Sequence, residues 1–379
     1  MLRFNNWINF GKSLKTIVAM RNIMIVLLSF FSFTSFGQQV QDGPYLLYRG
    51  DQVVIKSVVD DQSDEKVFDL KKKKELKISV NFKDHTDWNF TVGLKPEIVN
   101  EPSVTAMPEK LFVLSDIEGE FEGFRALLLA NGIIDEQYNW KFGKGHMVIC
   151  GDLFDRGAQV PECLWLLYKL EQSAKAAGGY VHTLLGNHDI MNLSGDLRYL
   201  RPKYPKSAEL MGIDYMVLYN DQSELGRWLR SKNTIEKVGD YLFLHAGIAP
   251  QITELKMPIE EINIKCRPFY DKAKKLDGLP NLADASISKF FQGGTSLFWY
   301  RGYFAEPKAT EAEVDATLAL YQCKSIVVGH TIVAGNVGFY YGGKVLGLDV
   351  NQHAGDHQAA LLEKGKWYKV NDKGLKVPL

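Results

Sequence analysis

The chain has 379 residues, enough to bury one large core, alone or with a small companion. Its 45 basic and 45 acidic residues cancel, which excludes the global field that draws nucleic acid or an anionic membrane, so any phosphate binding must be local. Hydrophobic residues at 46% and aromatics at 12% exclude a disordered or fibrous chain.

At the N-terminus, Arg21 precedes an apolar run from Ile23 to Phe33, followed by Ser35, Gly37 and Gln38. The run is too short for the roughly 20 residues of a spanning helix, and Ser35-x-Gly37 fits the small-residue cleavage rule. Residues 1–37 therefore read as a signal peptide, with 1–20 as an extension ahead of a start at Met20 or Met24. The expected location is exported and periplasmic, with no stable membrane span after cleavage; an uncleaved membrane anchor is the alternative. Cys150, Cys163, Cys266 and Cys323 are even in number, but two lie in apolar core-like runs and their spacing fits no zinc motif.

Residues 43–105 alternate in short stretches, Gln52 to Val58, Leu76 to Phe82 and Trp88 to Val92, separated by polar clusters. They predict a small antiparallel β region, with the charged run Lys71 to Glu75 as a solvated loop between strands.

From residue 108 to 379 the pattern changes to apolar runs that each end in a polar, Gly-bearing turn. Lys110 to Leu114 leads to Asp116, Met147 to Cys150 to Asp152, and Tyr180 to Leu185 to Asn187. Tyr241 to Leu244 leads to His245, Ser325 to Val328 to His330, and Lys344 to Leu348 to Asp349. Helices are predicted over Phe121 to Ala130 and Val160 to Ala177, the latter with Pro161 in its first turn and Gly178 past its end. Strand and helix alternation predicts a mainly parallel sheet with its site at the strand C-termini. Residues 250–297 read as a polar, partly helical insert, Thr310-x-x-Glu313 as a capping box, and Gln358 to Leu362 and Lys366 to Val370 as the last strands.

Two cations about 3.5 to 4 Å apart need a bridging carboxylate, further oxygen or imidazole ligands, and an open face for a phosphoryl group. Asp152, within Gly151-Asp152-Leu153-Phe154-Asp155-Arg156-Gly157, is the natural bridge, and Arg156 is a fork for phosphate oxygens. Singly, an Asp-Arg pair is an ordinary ion pair, and a His ending an apolar run is more often a satisfied core residue than a ligand. The conjunction of five such strand ends, at Asp116, Asp152, Asn187, His245 and His330, carries the argument.

The ordered motifs Ser115-Asp116-Ile117-Glu118-Gly119, Gly151 to Gly157, Gly186-Asn187-His188-Asp189, His245-Ala246-Gly247 and Gly329-His330 resemble the calcineurin-like metallophosphoesterases. Within these the similarity is to the phosphoprotein phosphatases and their bacterial Shewanella-like members. It covers roughly Lys110 to Asp349. It implies an α/β fold, a two-sheet β-sandwich core flanked by helices, here preceded by the small N-terminal β region. It also implies two divalent cations, with Mn expected and Fe, Zn or Mg as alternatives, and a phosphorylated small molecule or phosphoprotein as substrate. Asp116 would bind the first metal, Asp152 would bridge, and Asn187, His245 and His330 would bind the second. A metal-bridging hydroxide would attack phosphorus, His188 oriented by Asp155 would protonate the leaving group, and Arg156 and Arg301 would hold the phosphate.

One position departs from the family pattern, which has His where this chain has Glu118. If Glu118 binds metal, two dications face three carboxylates and a hydroxide, a neutral core that favours harder cations; otherwise Glu118 points away. His85, His146 and His182 read as structural or surface residues, and His353 and His357 as residues of a solvent-facing loop bordering the site. The segment His245 to Pro250 also resembles the symmetrical dinucleoside tetraphosphatases, which cut an anhydride. A non-catalytic binding protein on the same fold is the remaining alternative.

Overall fold

The computed structural model describes residues 39–279 and 284–379. The segment read as a signal peptide lies outside the described residues. Among those described, no helix is long and apolar enough to cross a membrane. Val40–Leu379 forms one compact unit.

The N-terminal region is an antiparallel meander of β1 (Asp42–Arg49), β2 (Gln52–Val59) and β3 (Gln62–Asp69), then a pair, β4 (Lys77–Val80) with β5 (Phe90–Gly93). β1 is buried on both faces, because it lies against the helix Val160–Ala176, whose Trp165 donates its indole N–H to the Pro44 carbonyl at 2.8 Å. The lysine run is a short 3₁₀ helix, Leu70–Glu75, capped by Asp69, rather than an irregular loop. The remaining strands are β6 (Val104–Thr105), β7 (Lys110–Leu114), β8 (His146–Cys150), β9 (Tyr180–Leu184), β10 (Ile235–Val238), β11 (Tyr241–Leu244), β12 (Ser325–Val328), β13 (Gly338–Tyr340), β14 (Val345–Gly347), β15 (Gln358–Glu363), β16 (Lys366–Asn371) and β17 (Lys376–Pro378).

They form two six-stranded sheets, ordered β13-β14-β12-β11-β10-β6 and β17-β16-β15-β7-β8-β9. Leu111, Val113, Val148 and Leu184 of one sheet pack against Val238, Phe243, Val327 and Leu346 of the other. Alternate residues such as Phe112 and Leu114 turn to the helices on the outer side. The two-face burial follows from the near-continuous apolar runs of these strands. The expectation of a mainly parallel sheet is corrected, since both sheets are mixed. β7, β8 and β9 are parallel, as are β11, β12 and β14, but β15 joins β7 antiparallel and β10 joins β11 through a hairpin too short for a parallel crossover. β17 adds a third C-terminal strand.

The insert 250–297 contains the helices Pro250–Thr253, Ile259–Cys266 and Ala285–Phe291, which bury Ile252, Ile262, Cys266 and Phe290 in the main core. All four cysteines are free, and three are fully buried.

Candidate active site

Asp116 and Asp152 follow β7 and β8, Asn187 opens the helix Asn187–Ser194 after β9, and His245, His330 and Asp349 follow β11, β12 and β14. Both sheets thus deliver the carboxyl ends of their parallel strands to one edge. The turns there are tight. Asp116, Glu118, Asp152, Asp155, Arg156 and His330 all sit in the left-handed region, with φ of 53°, 41°, 56°, 73°, 48° and 66°. Such conformations are costly for residues with side chains and cluster where a site demands them. The loops are tied to one another: Asp116 N–H donates to the Gly151 carbonyl at 3.0 Å, Glu118 N–H to that of Asp152 at 3.0 Å, and Gly329 N–H to that of His245 at 2.8 Å. Close approach explains the glycines. A Cβ on Gly329 would stand 2.2 Å from Asp116 Oδ2, and one on Gly186 would stand 2.1 Å from Asp152 Oδ1.

Four donors converge around His245. Its Nδ1 lies 2.7 Å from the Cys150 carbonyl, which can only accept, so Nδ1 carries a proton and Nε2 faces the site. Asn187 Oδ1 is 2.8 Å from Nε2, His330 Nδ1 3.1 Å and Asp152 Oδ2 3.2 Å. Ligand atoms about 2.1 Å from one cation stand about 3 Å apart in tetrahedral or octahedral arrangement. Without a cation this point still demands positive charge. Burial disfavours protonation of His245, yet the Asp152 carboxylate and its neighbours raise the imidazole to about 10. His330 is pushed well below its ordinary value, by burial first and by cationic His245 second.

A second group of donors, Glu118, Asp152 and His188, lies with its ligand atoms within 4.8 Å of one another, as do Asp152, His245 and His330. Asp152 belongs to both. Burial raises Asp116 well above the usual carboxylate range, and the facing Asp349 adds to the rise. Asp349 is likewise raised, chiefly by burial. Four buried carboxylates beside two imidazoles and an amide match the donor chemistry of a pair of hard or borderline divalent cations.

His188 stands beside this cluster. Its Nδ1 is 2.6 Å from Asp155 Oδ2, and Asn192 Nδ2, itself held by the Tyr215 hydroxyl through Oδ1, donates to Asp155 Oδ1 at 2.9 Å. Nδ1 is therefore engaged and Nε2 is left for the site. Burial opposes its charge, but the carboxylates of Asp152 and Asp155 leave its pKa raised. Arg156 and Arg301 line the same cavity of about 350 Å³ as Asp116, Glu118, Asp152, His188, His330 and Asp349. Arg301 Nη1 donates to the His330 carbonyl at 2.8 Å, which leaves the rest of its fork free to face the cavity.

Every residue expected from the sequence is thus brought to one place. Glu118 does not point away: it is buried and paired with Arg156. His353 is drawn in further than a solvent-facing loop implied, its Nδ1 lying 2.9 Å from Glu118 Oε2. His357 instead bonds Asp372 against the helix Phe121–Ala130. His85 stacks on Trp88, and His182 is buried between His146 and Glu236. Two site residues were missed. Asp349 obeys the same strand-end rule as the others. Asp189 accepts the backbone N–H groups of Asp152, Leu153 and Gly186 at 3.1, 2.8 and 2.7 Å, which fixes the Asp152 turn to the start of the next helix.

A two-sheet core that presents such a donor set, an oriented imidazole and two guanidinium groups to one cavity defines a metal-dependent hydrolase of phosphoric esters. The chain belongs to the calcineurin-like phosphoesterase family, whose sequence model matches residues 109–334. It superimposes on the cold-active protein-tyrosine phosphatase of a psychrophile Shewanella species with a TM-score of 0.80 and 36% identity, over 89% of this chain and 99% of that one. It is 26% identical to Shewanella-like protein phosphatase 2 of Arabidopsis thaliana over 65% of this chain and 72% of that protein. A shorter match, 30% identical over 142 residues, reaches 37% of this chain and 46% of the symmetrical bis(5'-nucleosyl)-tetraphosphatase of Actinobacillus pleuropneumoniae.

Proposed function

We propose that the protein is a phosphoprotein phosphatase that hydrolyses phosphomonoesters, phosphotyrosine among them. The observation that supports this best is the His188–Asp155 dyad opening, with Arg156 and Arg301, onto the same cavity as the metal-donor cluster. In this reading Asp152, Asn187, His245 and His330 would hold one cation, and Asp152, Asp116 and Asp349 the other, with Glu118 beside them paired to Arg156. Bound divalent cations supply a water of lowered pKa and screen the phosphoryl charge. Arg156 and Arg301 hold the phosphoryl oxygens, and His188 holds a proton at Nε2 for the leaving oxygen. The carboxylate-rich side favours a hard cation, and manganese is our choice. Export to the periplasm is proposed on the Ile23 to Phe33 run alone.

The test is phosphate release by the protein supplied with Mn, using an aryl phosphate, a phosphotyrosine peptide and a dinucleoside tetraphosphate, against an Asp152→Asn control. Turnover of the first two, abolished in the control, is expected. Turnover of the anhydride alone would favour the tetraphosphatase reading, to which the partial match and the His245 to Pro250 segment point.

A further inference from the structure

A second cavity, of about 400 Å³, is lined by the 3₁₀ helix Leu70–Glu75 on one side and the helix Glu224–Arg230 on the other. It shares no residue with the catalytic cavity, and its size falls within the roughly 300 to 1,000 Å³ of small-molecule sites. Lys73, Arg227 and Arg230 line it together with a single carboxylate, Glu224. The chain as a whole is neutral, so three cations beside one carboxylate are a local excess of positive charge.

Part of this placement has an ordinary cause. Arg227 and Arg230 stand in the last turn of their helix, where cations suit the carbonyl end. Arg230 Nη1 donates to the carbonyls of Tyr219 and Gly226 at 2.6 and 3.0 Å, and Arg227 Nε to that of Asp221 at 2.6 Å. The remaining donors are not so explained. Among the described residues the two Nη groups of Arg227 make no hydrogen bond, and Arg230 Nη2 has only Asp271 Oδ2 at 3.6 Å, too far to bond. Burial lowers the pKa of Arg230 even with Asp271 opposing, so this guanidinium is short of negative charge. Of the run Lys71 to Lys74, only Lys73 is half-buried, and its Nζ lies 3.2 Å from Glu224 Oε2.

The frame that holds these groups is fixed. Glu224 is fully buried; its Oε1 accepts from the Tyr168 hydroxyl at 2.5 Å, and its Oε2 from the Tyr48 hydroxyl and Lys73. The Tyr48 ring centroid is 4.0 Å from the Arg227 guanidinium carbon and 5.1 Å from Lys73 Nζ. One ring thus gathers two cations, and an anion between them relieves their repulsion.

We infer that this cavity is a second phosphoryl-binding site, separate from the metal donors, that takes the phosphate group of a phosphorylated organic molecule or the free phosphate ion. A phosphoryl group carries about two negative charges at neutral pH and three acceptor oxygens. Its charge matches three cations less one carboxylate, and its oxygens suit the fork of Arg227, Nη2 of Arg230 and the Lys73 ammonium. A carboxylate brings one charge and leaves a cation unmatched. Ile98 supplies an apolar wall for an organic remainder. The site stands whether or not the chain hydrolyses phosphomonoesters.

The test is equilibrium dialysis of the Mn-loaded protein against radiolabelled phosphate. Wild type is expected to bind one phosphate per chain more than Arg227→Ala, because loss of a charge-assisted partner weakens the site at least about tenfold. Lys73→Ala, changed on the other side of the cavity, is expected to show the same deficit. Neither residue lines the catalytic cavity, so kcat/KM on an aryl phosphate should be unchanged in both variants. Equal phosphate uptake by wild type and the two variants overturns the inference, and so does a fall in activity that parallels the lost phosphate. Competition then identifies the ligand. Acetate displacing the extra phosphate as readily as phenylphosphonate does would overturn the phosphoryl assignment. Displacement by phenylphosphonate at a lower concentration than unlabelled phosphate supports the site as one for organic phosphates, and displacement only at an equal or higher concentration supports it as one for the free ion.

Discussion

Arg156 and Glu118 form an ion pair inside the catalytic cavity, with Nη1 2.7 Å from Oε1 and donating to Oε2 at 2.8 Å. Burial pushes the Glu118 carboxyl up to about 8, the nearby Asp152 adds to the rise, and Arg156 opposes both. The guanidinium that is to hold phosphate is thus already engaged by a carboxylate, which orients it and also repels an incoming dianion. Glu118→Gln keeps an oxygen for Arg156 and removes the charge that Glu118 carries above about pH 8. In assays at roughly pH 9 inorganic phosphate is then expected to inhibit about tenfold more strongly, the order of effect of one charge at short range in a partly wet site, whereas near pH 7, where the wild-type carboxyl is mostly protonated, the two proteins should differ little. Bound metal measured on the same variant gives the check. If metal content falls with the substitution, Glu118 is holding a cation and the electrostatic account is wrong.

The His188 pair sets a pH dependence. An imidazole whose pKa is raised keeps its proton to higher pH, and the acid form is lost as pH rises through that raised value. Asp155 contributes to the rise through its hydrogen bond and its charge. Asp155→Asn should therefore move the alkaline limb of the kcat profile to lower pH and reduce kcat on an alkyl phosphate by about a hundredfold or more. With an aryl phosphate the loss should be smaller, because a phenol of pKa about 10 leaves with less protonation. A pH–rate profile on both substrates decides it, and an unmoved alkaline limb would remove His188 as the acid.

The site was largely legible in the sequence, because each donor ends an apolar run long enough to be a buried strand and the glycines beside it mark close approach. Asp116, Asp152, Asn187, His245 and His330 all follow that rule. Asp349 does too, yet no histidine or second motif flagged it. What escaped were relationships between distant segments. The ion pair of Glu118 with Arg156, the contact of His353 with Glu118, and the Tyr215–Asn192–Asp155 chain behind His188 depend on how loops fold over one another, and local patterns carry no record of that. β3 escaped for another reason. Its Gln62–Asp69 sequence is exposed along almost its whole length, so no alternation marks it, and it is held by its register with β2.

Gly186 offers a steric test of the geometry. Its backbone lies against the Asp152 turn, and a methyl group there would meet Asp152 Oδ1 at 2.1 Å and its amide nitrogen at 2.4 Å. Backbone cannot yield as a flexible side chain does, so Gly186→Ala must displace the shared carboxylate. A destabilisation of about 1 to 3 kcal/mol is expected from overpacking. The more telling readout is metal. Binding of Mn measured by calorimetry should weaken by at least about tenfold, while the folded fraction at room temperature stays high. Retained metal affinity would mean that the Asp152 loop has room that the geometry denies.

Away from the cavity, Glu171 anchors the segment that carries Asn233, and its charge network gives the fold its acid limit. Glu171 is buried in the helix Val160–Ala176, where it accepts from Lys232 Nζ at 2.7 Å, from Trp228 Nε1 at 2.8 Å, from Thr183 Oγ1 at 2.9 Å and from Lys95. Burial alone would raise its pKa, but Lys232 and Lys95 outweigh it and hold the carboxyl down to about 2. A carboxylate depressed in the native state binds fewer protons there than when unfolded. Its contribution is fully present above the unfolded value of about 4.3 and is lost as pH falls toward 2, an effect on the order of 3 kcal/mol. Lys232→Met removes one partner and leaves a buried carboxylate with too little compensation, so a loss of about 3 to 5 kcal/mol is expected at neutral pH. Because Leu185 N–H donates to the Asn233 carbonyl at 3.1 Å, the loosening should reach the end of β9 and the Asn187 ligand beyond it. Urea unfolding at pH 7, pH 4 and pH 2, with and without Mn at pH 7, reads both effects: the variant should lose stability at pH 7, and its remaining stability should depend less on pH between 4 and 2 than that of the wild type. Equal acid slopes in the two proteins would show that the depressed carboxylate is not Glu171.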